Sequence, residues 1–160
     1  MDRWKTPKAV PRRSLGALSA ITYVGGNGTE DTETHQLALD PSGNPIVVGP
    51  TSSSDLPTSG TAVQRQPAGG GTDAMVAKVS PAGALLAMTY LGGSGAERAE
   101  GVATDSRGNI YLTGYTTSSN FPTNLGNNFA GGQDLLFAKL SPDLSQLLVA
   151  AVVGGAGDDR

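Results

Sequence analysis

Apolar residues in this chain come in short bursts, each closed by glycine, proline or an Asp/Asn-rich turn, and that pattern predicts many brief strands and an all-β fold. Leu37 and Leu39, and later Val102 and Thr104, fall at period two and predict strands over about 36–40 and 101–105. A second strand is expected over about 45–51 and 110–116, a third over about 74–79 and 135–140, and a fourth over about 84–91 and 146–153. The third is apolar on both faces, as suits a strand packed between neighbouring sheets. Ala17 to Val24 reads as the fourth strand of a preceding unit.

The second half of the chain repeats the first. Tyr23-Val24-Gly25-Gly26 returns as Tyr90-Leu91-Gly92-Gly93 and again as Val152-Val153-Gly154-Gly155. Asp40-Pro41-Ser42-Gly43-Asn44 returns as Asp105-Ser106-Arg107-Gly108-Asn109, and Asp73 to Pro81 as Asp134 to Pro142. The order of these anchors is kept while their spacing slips by a few residues, which places the insertions in loops. Each unit is then four antiparallel strands. In the Asp-x-x-Gly-Asn hairpin the carboxylate is expected to accept from turn amides, with Gly43 and Gly108 at positive φ. The glycine pair after each fourth strand is expected to let the backbone swing into the next unit.

Four short strands per unit in tandem are the cue for propeller blades. Tyr90-Leu91-Gly92-Gly93, Asp105, Gly108 to Thr116, Ser119-Asn120-Phe121-Pro122-Thr123, Gly131-Gly132, Asp134 and Phe137-Ala138-Lys139-Leu140 carry a further likeness. With these the chain resembles the seven-bladed β-propeller (SBBP) repeat family of bacterial proteins, over nearly everything after residue 17. The resemblance implies β-propeller blades in an incomplete ring. Residues 25–91 and 92–153 would be two nearly complete blades, 17–24 the end of a preceding blade and 154–160 the start of a third, behind a basic segment at 1–16. Because a ring takes about four to eight blades, the expected partners are further blades in cis or copies of the chain in trans, the chain being read as a piece of something longer. The family further implies an extracellular or cell-surface scaffold or binding platform for protein or carbohydrate, with no shared catalytic residue. The chain is therefore read as non-enzymatic. The alternative is part of a propeller hydrolase or lyase, calcium-dependent in some cases, whose site needs further blades.

The first unit departs from the second. It has Pro45 and Pro50 where the second has Ile110 and Tyr115, and Leu56 where the second has Phe121. Proline donates nothing to a ladder, so this strand is expected to be short, or paired on one side at those points, and its blade the looser one.

Composition narrows the chemistry. Without cysteine there is neither a disulfide framework nor a thiolate metal site. The net charge of −3 conceals a basic head, where Arg3, Lys5, Lys8, Arg12 and Arg13 face only Asp2, followed by an acidic body that does not suit nucleic acid. Pro7 and Pro11 interrupt the place of a signal-peptide apolar stretch, and the run Leu147 to Val153 is too short to span a bilayer.

No catalytic, cofactor or metal residue is assigned. Gly25 to Asp31 and Gly154 to Asp159 are similar to the Gly-Gly-x-Gly-x-Asp calcium repeat, but that motif works by stacking at a nine-residue period, so a structural loop between blades is expected. His35, the one histidine, stands where the second unit has Glu100 and makes no multi-histidine site within one chain. Lys78 and Lys139 are expected to pack their stems while the ammonium reaches water or a neighbouring carboxylate, not Asp73 or Asp134 on the same strand. Ser52-Ser53-Ser54-Asp55 and Thr117-Ser118-Ser119-Asn120 are read as loops, and Asn27-Gly28-Thr29 as a chance glycosylation triplet.

Overall fold

The computed structural model describes residues 21–32 and 35–159, and every regular element among them is a strand. The first sheet runs β1 (Leu37–Leu39), β2 (Pro45–Thr51), β3 (Asp73–Val79) and β4 (Leu85–Leu91), each antiparallel to the next. The second holds β5 (Glu97–Thr104), β6 (Ile110–Thr116), β8 (Asp134–Leu140) and β9 (Leu147–Val153), again antiparallel neighbours, with a short β7 (Asn127–Asn128) added in parallel on the outer edge of β9. The two sheets form consecutive blades and close no ring. β7 has no counterpart in the first sheet and was not signalled by the repeat.

Local chemistry sets these boundaries. In the first hairpin Asp40 Oδ1 accepts from the Ser42 and Asn44 amides at 2.8 and 2.9 Å, and in the second Asp105 Oδ1 accepts from Arg107 and Asn109 at 2.9 Å each. Gly43 and Gly108 both sit at φ 80, closing the two turns alike. β2 is not shortened by its prolines and has seven residues, like β6. Pro45 pairs with Leu39 of β1 and Pro50 with Ala74 of β3, while the Pro50 carbonyl also accepts from the Asp31 amide at 3.3 Å on its other side.

The contraction falls on the inner strand. β5 has eight residues with a bulge at Glu100, whereas β1 has three, preceded by an isolated bridge from Glu30 to Thr51. The chain from Glu30 to Leu37 is longer than from Glu97 to Val102, so an insertion interrupts the strand itself, and His35 there takes φ 70. Expected strand starts at about 101 therefore move back to Glu97. Ile21 to Val24 form no strand, and Ala17 to Ala20 lie outside the described residues.

One apolar cluster joins the blades. Ile46, Val48, Ala74 and Val76 of the first pack with Ile110, Leu112, Leu136 and Ala138 of the second, all at most 2% exposed. Leu144, fully buried between them, occupies the turn position held by Gly83 in the first blade, and does so at φ 61. The opposite face of the first blade carries Leu56, Met75, Ala77, Met88 and Tyr90, with Val24 against them. Tyr90 Oη donates to the Ser53 carbonyl and accepts from the Leu56 amide, both at 2.9 Å. Tyr90→Phe leaves both buried groups unmatched and is expected to lower unfolding free energy by about 1–2 kcal/mol in urea titrations.

Candidate functional site

Ionisable side chains gather where one blade meets the next. Glu30 and Glu97 each stand four residues after a glycine pair, as does Asp159. Glu97 is fully buried, with Oε1 accepting from Thr116 Oγ1 and Ser118 Oγ at 2.5 Å each and Oε2 from the Gly93 amide at 2.8 Å. Glu30 repeats the set with Thr51 Oγ1 at 2.7 Å, Ser53 Oγ at 2.5 Å and the Gly26 amide at 3.2 Å, and Asp159 accepts from the Gly155 amide at 2.6 Å. Burial pushes the Glu30 carboxyl up, but the donors Ser53, Thr51 and Gly26 outweigh it and hold the group below its ordinary value.

The glycine pairs serve these carboxylates. None of Gly25, Gly26, Gly92, Gly93, Gly154 or Gly155 lies at positive φ, so the expected backbone swing is not their reason. A Cβ on Gly92 would stand 2.5 Å from Glu97 Oε2 and 2.6 Å from Asp73 Cγ, and one on Gly25 2.5 Å from Glu30 Oε2. The backbone must be bare for the acids to fit.

The serine-rich loops tie the same region down. Ser52 Oγ and Ser53 Oγ accept from the amides of Thr29 and Gly28 at 2.9 and 2.7 Å, and Asp55 Oδ1 from that of Asn27 at 2.7 Å. Thr117, Ser118 and Asn120 do the same for Ala96, Gly95 and Ser94. The glycine-rich loops thus spend their amides inside the blade, and the Asn27 side-chain Nδ2 donates to Ser54 Oγ. Among the described residues no group of three or more His, Cys, Asp or Glu side chains is arranged to hold a metal ion.

Asp73 and Asp134 open β3 and β8 and are at most 2% exposed. Asp73 Oδ2 accepts from Gln64 Nε2 at 3.0 Å and the Ala68 amide at 2.8 Å, and Asp134 Oδ2 from the Ala130 amide at 2.8 Å. Both Oδ1 atoms are buried without a hydrogen bond. Lys78 and Lys139 turn elsewhere, to the hairpin aspartates. Lys78 Nζ is 2.8 Å from Asp40 Oδ2 and donates across the junction to the Pro142 carbonyl at 3.2 Å. Lys139 Nζ is 3.6 Å from Asp105 Oδ2 and lies 4.7 Å over the Tyr111 ring.

At the surface of the junction Arg98 lies 3.6 Å from Asp31, the residue at the matching place of the preceding blade. They border a cleft of about 220 Å³ with Thr29, Pro50, Ser52, Thr72 and Tyr115. His35 is exposed in the turn before β1, and Glu100 is exposed at the bulge of β5.

Residues 88–122 match the family model of the SBBP beta-propeller repeat. The chain carries an SBBP repeat. No curated protein matches it. The matched SBBP segment runs from the end of β4 through the glycine pair, β5 and β6 to Phe121-Pro122, so the repeat straddles the two sheets and contains Gly92, Gly93 and Glu97 together. The shared Glu30 and Glu97 are hidden when His35 is set against Glu100, because the insertion before Leu37 displaces the match. Counting four residues on from each glycine pair would have found them.

Proposed function

We propose that this chain is a non-enzymatic propeller segment, a scaffold whose first partner is another blade and whose assembled surface binds protein or carbohydrate. The observation that carries this is the back face of the second blade. In the first blade the corresponding positions, Ala74, Val76 and Leu91, are buried against the second blade. Their counterparts Leu135, Phe137 and Val153 are 43%, 37% and 56% exposed. The expectation that the third strand of both units is covered on both faces thus fails for β8, where no strand among the described residues packs over Leu135 and Phe137. An apolar face of this make-up favours a blade front like that of Ile110, Leu112 and Leu136, presented in cis or by a second copy.

Light scattering after size exclusion, with far-ultraviolet circular dichroism on the same peak, tests the reading. Association that rises with concentration and is abolished by Phe137→Asp, with the β spectrum retained, is the expected result. A stable, strictly monomeric wild-type chain would count against a blade-docking scaffold.

A further inference from the structure

We propose that Asp73 of the first blade takes up a proton on the oxygen buried beside Glu97 of the second, so that proton uptake tightens the blade junction. The case starts from an unmatched atom. Asp73 Oδ2 is fully engaged by Gln64 and Ala68, while Oδ1 is buried and has no partner. That oxygen does not face empty space. Asp73 Oδ1 and Glu97 Oε2 both lie within 2.8 Å of the point a Gly92 Cβ would occupy. An ionised carboxylate offers only acceptors there, whereas a protonated Oδ1 becomes a donor directed at Glu97. A buried unmatched acceptor beside a like charge is the costly arrangement, and one proton removes both faults.

The surroundings supply no other answer. Gln64 and the Ala68 amide face Asp73 from the loop before β3, and the Tyr90 phenol on β4 is pushed up, first by burial, with Asp73 among the charges adding to it. Thr116 and Ser118 from the second blade hold the other oxygen of Glu97. No Lys or Arg ion pair involves either carboxylate among the described residues. Burial therefore pushes Asp73 up, opposed by the Ala68 amide, reinforced by the charge of Glu97 and opposed again by Gln64, to about 6. Asp134 repeats the buried, unmatched Oδ1 against Gly154, so that atom's placement belongs to the repeat, while the neighbouring carboxylate is found beside Gly92.

The test is a carbon-detected titration of the aspartate carboxyls in the wild-type chain, with thermal midpoints of wild type and Asp73→Asn at about pH 5 and about pH 7.5. Asp73 is expected to titrate about two units above an ordinary aspartate. The wild-type midpoint is expected to be higher at the lower pH, and Asp73→Asn, whose amide mimics the protonated acid, to raise the neutral-pH midpoint and remove most of the difference. Ordinary titration of Asp73 overturns the proposal, as does an unchanged pH difference in Asp73→Asn. Millimolar calcium that raises the neutral-pH midpoint in wild type but not in Asp73→Asn overturns it too, by showing that a cation occupies the place given to the proton. Should Asp73→Asn fail to fold, the wild-type titration decides alone.

Discussion

Gly92→Ala is expected to destabilise the chain by about 3 kcal/mol or more, at the upper end of overpacking costs, because its Cβ has nowhere to go. It would stand 2.5 Å from Glu97 Oε2 and 2.6 Å from Asp73 Cγ, and both neighbours are buried and held by other bonds. Moving Glu97 strands the hydroxyls of Thr116 and Ser118 and the Gly93 amide; moving Asp73 strands Gln64 and Ala68. Gly43→Ala is the control: its added Cβ meets nothing within 4 Å, and the φ of 80 alone is strained, for about 1–2 kcal/mol. Urea unfolding followed by circular dichroism ranks the two. Equal losses would mean that Gly92 is not a packing site.

That pair shows where the sequence could be read and where it could not. Gly43 sits in Asp-x-x-Gly-Asn, whose hydrogen bonds are closed within five residues, so its conformation follows from local chemistry. Gly92 is fixed by Asp73 and Glu97, which come from two different sheets and meet only in the fold. The second strand illustrates the same division, since its ends at Pro45 and Thr51 or Ile110 and Thr116 follow from turn residues and periodicity. The inner strand does not, because an insertion between Glu30 and Leu37 breaks the register that would have equated Glu30 with Glu97. Leu144 is the reverse case: a residue poorly suited to φ 61 holds that turn because its side chain fills the space between blades. The exposure of Leu135 and Phe137 likewise depends on what stands opposite, which an apolar strand does not record.

Lys78→Met is expected to cost about 3 kcal/mol, the lower end for breaking a buried pair, because Asp40 keeps its turn donors. Lys139→Met should cost less. The repeat position is the same, but the side chains of Lys78 and Asp40 are 14% and 4% exposed at 2.8 Å, whereas those of Lys139 and Asp105 are 23% and 27% exposed at 3.6 Å. The two pairs therefore separate burial from charge. Burial pushes the Asp40 carboxyl up, but Lys78, then Asn44 and Ser42, outweigh it and hold the group well below its ordinary value. A depressed folded-state value contributes stability that is present above the unfolded value of about 3.9 and is lost as pH falls through the folded one. Asp73 acts with the opposite sign, contributing stability that is complete below its unfolded value and lost as pH rises through about 6. With Asp105 and Asp143, which hydrogen bonds from Asn109 and Ser141 also hold below the ordinary value, they place maximal stability a little above about pH 4, with a neutral limb set by Asp73 and an acid limb that Asp40 shares with those two. Lys78→Met removes the cation that lowers Asp40, so the acid limb should lose depth and end at higher pH, its onset staying near the unfolded value, while the neutral limb keeps its place. Chemical denaturation across this range measures both limbs on one protein; if Lys78→Met displaced the neutral limb instead, Asp40 and Asp73 would not be independent sites.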